Sequence, residues 1–207
     1  MRFLLTSCVL LASVLGAAKA AEPIEAVQLY TQDELVKLIR KNAHLKRVKD
    51  DDCQLVQDIA ARASKMELPA YQFLYGDMLA YNVCVERDVE LGVYYMRQAA
   101  EQGLAEALEQ LGRYYDTGKL VQADKAMAII YLREAAAQGS LPAQLRLVKL
   151  YNSGYGSPQD YEDAYRWLFH STVVDKATHK QISQQLAALG KKMPDSVVAR
   201  ARLPLDN

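Results

Sequence analysis

The residue types that most often perform chemistry are present in this chain, but their spacing matches no catalytic or ligand-binding motif. Its three histidines are scattered, and none lies in an H-E-x-x-H zinc motif: His44, His170 and His179. A G-x-S-x-G elbow for a nucleophilic serine does not occur. We interpret Gly154-Tyr155-Gly156 as a turn between helices and not as a phosphate-binding loop. The sequence therefore predicts a protein that is not an enzyme and that binds no cofactor and no metal ion.

A run of three carboxylates, Asp50-Asp51-Asp52, is the one acidic cluster with metal-binding composition. An apolar helical pattern from Leu55 to Ala63 follows it. Acidic residues are favoured at the N-terminus of a helix, where they accept hydrogen bonds from free backbone N–H groups and complement the helix dipole. We interpret the run as the cap of this helix in preference to a metal site.

Residues 1–20 have the pattern of a secretory signal peptide, with Arg2 before a short apolar run and small residues before Ala21. The run is too short for a permanent membrane helix. Leu5-Thr6-Ser7-Cys8 has the form of a lipoprotein box, and lipidation is the alternative, but few residues precede it. Later in the chain, no stretch approaches about 20 apolar residues. We expect a soluble mature protein outside the cytoplasm.

The charges are balanced. Lys and Arg number 25, as do Asp and Glu, and removal of Arg2 and Lys19 leaves 23 against 25. A nucleic-acid-binding or anionic-membrane-binding protein normally carries a basic surplus. We therefore expect neither nucleic acid nor a membrane surface as partner.

Of the three cysteines, Cys8 leaves with the predicted signal peptide, and Cys53 and Cys84 remain. An even pair in an oxidising compartment favours a disulfide. The alternative is two reduced, buried thiols that act as small apolar residues. A redox enzyme is not indicated, because the chain has no C-x-x-C motif.

The stretch from Leu68 to about Ser171 is a repeat. Gly103 and Gly139 are 36 residues apart, and other pairs share this offset. They include Asp88, Asp124 and Asp160; Tyr95, Tyr131 and Trp167; Gly76 and Gly112; Tyr115 and Tyr151; and Gly118 and Gly154. A fixed period of this size is typical of a solenoid.

Each repeat has the pattern of two helices. In the second repeat, the first apolar stripe stops near Gly118, Asp124 stands at an N-cap position, and a second stripe ends before Gly139, a C′ glycine. Small residues such as Gly112 and Ala128 predict close approach of the two helices.

At these positions the chain resembles the Sel-one-like repeat family, a variant of the tetratricopeptide helical repeat. The second repeat carries A-L-E-Q-L-G-R-Y-Y-D-T-G and D-K-A-M-A-I-I-Y-L-R-E-A-A-A-Q-G. The resemblance implies an all-α fold, a right-handed α-solenoid of helix pairs. We expect a signal peptide at 1–20, an N-terminal extended segment and helical cap at 21–67, repeats at 68–103, 104–139 and 140–175, and a C-terminal helical cap and tail at 176–207. Within the N-terminal cap, two helical patterns are predicted, and the first starts at Thr31 with capping-box spacing.

A short helical solenoid offers its surface to another protein. Tyrosine is abundant, 13 residues against 3 of phenylalanine, and suits interfaces because its hydroxyl can stay hydrated. Five tyrosines lie off the repeat pattern or depart from it, and we expect partner-binding residues among them: Tyr71, Tyr75, Tyr81, Tyr94 and Tyr114.

Four longer stretches resemble a more specific family, the periplasmic proteins of the sodium-driven polar flagellar motor in gamma-proteobacteria. They are residues 68–80, 83–92, 108–115 and 161–167, and the similarity extends from about Tyr30 to Arg200 with the spacing of Cys53 and Cys84. The resemblance implies a periplasmic adaptor at the flagellar basal body. Its implied partners are a MotY-like protein, with which it forms the T ring, and the periplasmic part of a PomB-like stator subunit.

Two other functions remain open at this point. One is a different periplasmic repeat scaffold or regulator of envelope complexes. The other is a beta-lactam-binding hydrolase of the cysteine-rich Sel-one-like type, which we consider unfavoured because such proteins pair cysteines in every repeat and this chain has one pair outside the signal peptide.

Overall fold

The computed structural model describes residues 29–204, and in that range the protein is all α-helical. The predicted signal peptide, residues 1–20, lies outside the described residues. The helices are α1 Gln32–Arg40, α2 His44–Asp50, α3 Val56–Ser64, α4 Pro69–Tyr81, α5 Val89–Glu101, α6 Ala105–Thr117, α7 Lys125–Ala137, α8 Leu141–Asn152, α9 Tyr161–Phe169, α10 Lys176–Gly190 and α11 Asp195–Ala201. None of them is long and apolar enough to cross a membrane.

Three helix pairs form the body of the molecule: α4 with α5, α6 with α7, and α8 with α9. Each pair packs on the next through α5 against α6 and α7 against α8. The first three helices cover α4 at one end, and α10 and α11 cover α8 and α9 at the other. The predicted fold, an α-solenoid of helix pairs with helical caps, is confirmed.

The helix ends in the repeats follow the sequence pattern. The Asp124 carboxylate accepts hydrogen bonds from the N–H groups of Ala126 and Met127 at 2.9 and 3.0 Å, and Asp88 accepts from Leu91 at 2.9 Å. Gly139 follows the last residues of α7 with a φ of 86°, a left-handed conformation that glycine adopts without steric cost.

Asp160 differs from its counterparts in the first two repeats. Its side chain caps no helix and instead forms an ion pair with Arg133 at 3.0 Å. A 3-10 turn, Pro158–Asp160, leads into α9. The Gln159 N–H of this turn donates a hydrogen bond to the Ser157 hydroxyl at 3.3 Å. The turn takes over the role that the carboxylate has elsewhere.

Glycines set the closest helix contact of the first repeat. A Cβ atom on Gly76 would lie 2.7 Å from the carbonyl oxygen of Gly92, and a Cβ on Gly92 would lie 2.7 Å from the carbonyl oxygen of Gly76. In the second repeat, a Cβ on Gly112 would meet the Leu132 side chain at 2.6 Å. The predicted close approach of α6 and α7 is thus confirmed, and α4 and α5 meet at a reciprocal pair of glycine backbones.

The N-terminal cap has three helices where the sequence predicted two. The capping box of α1 is formed by Thr31 and Glu34 as predicted. The helical pattern after it is broken at Asn42, whose φ is 52°, and α2 begins at His44. The break turns α2 so that it packs on α4 as well as on α1.

The prediction that Asp50-Asp51-Asp52 caps the next helix was wrong. Asp50 ends α2 and pairs with Lys46 at 2.5 Å, while Asp51 pairs with Arg47 at 2.9 Å. Each bond joins residues four apart, so both carboxylates are paired with a basic residue of α2 at its C-terminal end. The residue that precedes α3 is Leu55, which has no side-chain cap.

A disulfide joins the cap to the first repeat. Cys53 lies in the turn between α2 and α3, Cys84 lies in the loop after α4, and their Cα atoms are 5.6 Å apart. Both residues have left-handed backbones, with φ of 59° and 61°. The bridge closes a loop that contains α3 and α4, and the two cysteines are 31 positions apart in the sequence.

The α4–α5 crossing yields a stability prediction. We expect Gly92→Ala to lower the free energy of unfolding by about 1–3 kcal/mol, because the new methyl group meets backbone atoms that cannot change rotamer. The measurement is urea denaturation of the purified protein followed by circular dichroism.

Gly190→Ala is the matched control. The nearest atom to its new Cβ would be Tyr165 Cε2 at 3.6 Å, an ordinary contact, so stability should be unchanged or slightly higher. Equal denaturation midpoints for Gly92→Ala and Gly190→Ala would show that the helices do not meet as closely as described.

The disulfide yields a second prediction. Replacing Cys53 and Cys84 together by Ser should lower the free energy of unfolding by about 2–4 kcal/mol, because the unfolded chain regains the freedom of the closed loop. Relaxation of the two left-handed backbones offsets part of this loss. Denaturation of the double variant and of reduced wild-type protein should give the same lowered midpoint, and a variant as stable as oxidised wild type would contradict the prediction.

Candidate functional site

Two of the five candidate tyrosines are removed from the partner-binding set by their burial. The side chains of Tyr71 and Tyr114 are 0% exposed. The Tyr71 hydroxyl donates a hydrogen bond to the carbonyl oxygen of Tyr30, beneath the N-terminal cap. The Tyr114 hydroxyl lies in a buried polar network. Neither side chain can contact a partner in this conformation.

Comparison of equivalent positions in the aligned repeats also indicates that Tyr71 and Tyr114 are internal. Tyr71 is equivalent to Ala107 and Ala143, and both alanines are fully buried. Tyr71 can be larger because α4 packs against the cap, where the other first helices pack against a repeat. Tyr114 is equivalent to Met78 and Leu150, which are buried apolar residues.

Tyr75 and Tyr94 do form a surface cluster, which also includes Tyr95. The Tyr95 ring lies 5.2 Å from the Tyr75 ring and 5.4 Å from the Tyr94 ring, both in edge-to-face geometry. Tyr94 is 51% exposed, and the other two are half-buried. Burial raises the pKa of the Tyr95 hydroxyl, with a smaller contribution from Tyr75. We call these three residues the aromatic patch.

Tyr81 lies at a second surface, which we call the cap groove. It consists of two adjoining cavities of about 400 and 520 Å³ between the N-terminal cap and the first helices of the repeats. Its main lining residues are Ile39, Arg40, Asn42, His44, Phe73, Asp77, Tyr81, Glu106, Glu109, Gln110, Arg113, Lys119 and residues 138–142.

The floor of the cap groove is a hydrogen-bonded network centred on Asp77. One carboxylate oxygen lies 2.7 Å from His44 Nε2, and the other accepts from Gln110 Nε2 at 3.1 Å. The Asp77 and His44 side chains are each only 3% exposed. Asp77 lies 33 residues from both partners, so their pairing depends on the tertiary fold.

The network continues into two hydroxyl groups. Gln110 Nε2 donates to the Tyr114 hydroxyl at 2.6 Å, and that hydroxyl is 2.5 Å from the hydroxyl of Tyr81. Burial, then the Asp77 carboxylate, raises the pKa of Tyr114 far above its usual range. The hydroxyl therefore stays protonated and can both donate and accept a hydrogen bond in the floor of the groove.

The Asp77–His44 pair has the first two members of a catalytic triad but not its geometry. Within residues 29–204, no hydroxyl or thiol is hydrogen-bonded to His44 Nδ1. The Asp77 carboxylate instead holds a histidine ring that also packs edge-on against Phe73, with ring centroids 5.6 Å apart. We interpret the pair as structural, since it joins α2 to α4.

Charged side chains line the edge of the cap groove. Arg40 of α1 pairs with Glu106 of α6 at 2.6 Å and so ties the N-terminal cap to the second repeat. Burial raises the pKa of the Glu109 carboxyl, with Arg113 and Arg146 opposing the effect. No cluster of three or more potential metal ligands occurs in the part of the chain that the structure describes.

A family model described as Sel1 repeat matches residues 69–104, 105–140 and 141–169. Two solved structures are similar to parts of this chain. A Sel1 repeat protein from Oxalobacter formigenes is 20% identical with a TM-score of 0.49, over 74% of this chain and 53% of that one. A protective antigen of uropathogenic Escherichia coli with an SLR fold is 21% identical with a TM-score of 0.49, over 85% of this chain and 41% of that one. This chain therefore spans about half the length of these two proteins or less.

One relative is similar over nearly its whole length. The chain is 56% identical over 185 residues to the sodium-type polar flagellar protein MotX of Vibrio parahaemolyticus serotype O3:K6 (strain RIMD 2210633). The match covers 89% of this chain and 88% of that protein. With its Sel1 repeats and this degree of identity, the chain belongs to the MotX family of sodium-type polar flagellar proteins.

Proposed function

We propose that the protein is a periplasmic structural adaptor of the polar flagellar motor. It joins a MotY-like protein in a ring at the basal body, the T ring. Through the periplasmic part of a PomB-like subunit, it recruits or anchors the stator. The ion-conducting stator generates torque, and this chain holds the stator in place.

The observation that carries the proposal is the 56% identity to a sodium-type polar flagellar protein over 89% of this chain. The match extends well beyond the three Sel1 repeats, which end at residue 169, because it spans 185 residues. Helical repeats are shared by proteins of many functions, so agreement outside them argues for a shared role more strongly than agreement within them.

The geometry supports a protein-binding role for the N-terminal half. Helix α4 contributes Tyr75 to the aromatic patch, and Asp77 and Tyr81 to the cap groove. The Cys53–Cys84 bridge fixes the turn before α3 to the loop after α4. We infer that the cap and the first repeat form the main partner surface and that the disulfide keeps its shape.

Deletion of the gene tests the motor role. We expect cells that carry a normal filament but do not swim, because stator units are not held at the motor. A fluorescently tagged copy should restore swimming and collect at the flagellated pole.

Normal swimming of the deletion strain would remove the motor proposal and favour another periplasmic repeat scaffold. A deletion strain without filaments would also contradict it, since that phenotype indicates a role in filament assembly instead of rotation.

The aromatic patch yields a prediction for one residue. Tyr94→Ala should weaken partner binding by about 2 kcal/mol, roughly 30-fold, which is the lower end of the range for hot-spot residues. Because the side chain is half-exposed, the free energy of unfolding should change by less than about 0.5 kcal/mol. The measurements are the swimming radius in soft agar, the tagged protein retained at the pole, and urea denaturation.

Ile130→Ala is the matched control. Ile130 occupies the position of Tyr94 one repeat later and is 59% exposed. It should leave swimming, polar retention and stability unchanged. Equal defects in both variants, or none in Tyr94→Ala, would exclude the aromatic patch as a partner contact.

A further inference from the structure

Two of the cations that line the cap groove are not paired with its carboxylates. Arg113 and Lys119 form no ion pair with any acidic side chain within residues 29–204. A third cation at the groove, Arg40, is already paired with Glu106 at 2.6 Å. The two free cations follow one another along the C-terminal half of α6 and the loop after it.

The acidic groups that face the groove form no ion pair with Arg113 or Lys119. The two carboxylate oxygens of Asp77 are hydrogen-bonded, one to His44 Nε2 at 2.7 Å and the other to Gln110 Nε2 at 3.1 Å. Glu109 is the one carboxyl among the described lining residues that has no ion-pair partner. Burial raises its pKa and so favours its neutral form. The Asp77 side chain is 3% exposed and lies beneath the surface, where Arg113 and Lys119 share the groove with one half-buried carboxyl, that of Glu109.

Both cations are held in position by aromatic rings. Lys119 Nζ lies 4.8 Å from the centroid of the Tyr81 ring, and Arg113 Cζ lies 4.9 Å from that of Tyr114. One N–H of Arg113 is used by Gln110 Oε1, at 2.5 Å. A guanidinium has five N–H donors and an ammonium three, so several donors remain for a ligand. Fixed cations lose less conformational entropy on binding than free ones.

The opposite end of the groove is also electropositive. It is formed in part by the N-terminus of α8, where the Ser140 side chain makes no capping bond and the first turn has no acidic residue. The positive end of the α8 dipole is thus uncompensated. Along α6, the groove runs from Glu106 to Arg113, about 10 Å at the helical rise, which an extended chain covers with about three residues.

We propose that the cap groove binds an extended acidic segment of a partner protein, with Arg113 and Lys119 receiving its carboxylates. The proposal rests on the motor function proposed above, because the partner is taken to be another component of the motor. The Asp77 network fixes the floor on which the segment lies. Charge complementarity selects an acidic segment over a basic one, since a basic segment would meet both cations at close range.

Photo-crosslinking in swimming cells tests this proposal with the full chain in its own assembly. A photoreactive amino acid replaces Gln138, an exposed residue at the edge of the 400 Å³ cavity. Mass spectrometry then maps the segment of the captured protein. We expect a segment in which Asp and Glu outnumber Lys and Arg. Combined Arg113→Glu and Lys119→Glu should lower the crosslink yield at least about tenfold, as loss of 1.4 kcal/mol would, and should reduce swimming.

Two variants keep the test interpretable. Lys176→Glu with Lys180→Glu reverses two exposed charges on α10, neither of which lines the groove, and it should leave yield and swimming unchanged. Lys119→Gln removes one charge from an exposed position after α6 and should still lower the yield if the double variant does not fold. Circular dichroism of each purified variant checks the fold.

Three outcomes would overturn the proposal: a captured segment that is neutral or basic, an unchanged yield in folded Arg113 and Lys119 variants, or no crosslink from position 138 in swimming cells. Each leaves the motor role intact if deletion of the gene still abolishes swimming. Normal swimming of the deletion strain, in contrast, would remove the motor role, whatever the groove binds.

Discussion

Helix α4 determines the arrangement of the N-terminal half, and its contact with α5 through Gly76 and Gly92 is the constraint on which the rest depends. The two backbones approach so closely that neither position has room for a Cβ atom. Because α5 occupies this face, the cap helices α1, α2 and α3 pack on the remaining surface of α4. Asp77, the residue after Gly76, is thereby directed to His44 of the cap and Gln110 of the next repeat. The aromatic patch and the cap groove are thus two consequences of how one buried helix is surrounded.

The parts of the fold that the sequence could predict are those set by local spacing. Asp124 and Gly139 mark the ends of α7 because a cap bond and a left-handed glycine depend on residues close in the chain. The N-terminal cap was harder, because acidic residues favour the start of a helix, whereas Asp50 and Asp51 lie at the end of α2. Lys46 and Arg47, four residues before them, decide the matter once α2 forms. The break at Asn42 has no comparable local signal.

The candidate site was predictable only in part, for a related reason. Departure from the repeat pattern marks a position as unusual but does not say whether the side chain faces solvent. Tyr75 and Tyr94 reach the surface, whereas Tyr71 is enclosed by the cap, which packs mainly on α4 of the first repeat. The Asp77–His44 pair and the unpaired cations Arg113 and Lys119 are properties of the assembled helices. No spacing within the sequence brings them together.

The contact between α1 and α6, which includes the ion pair between Arg40 and Glu106, affects how cooperatively the N-terminal half unfolds. In an ideal solenoid each unit contacts only its immediate neighbours, so an end can fray one unit at a time. Here α1 extends past the first repeat and contacts α6 of the second. Opening of the terminal helix therefore also removes support from α6, and the disulfide links the same cap to the loop after α4. From the cap through the second repeat, the chain has the next-nearest-neighbour coupling of a globular domain, and it should open in one cooperative step where a string of repeats would open in several.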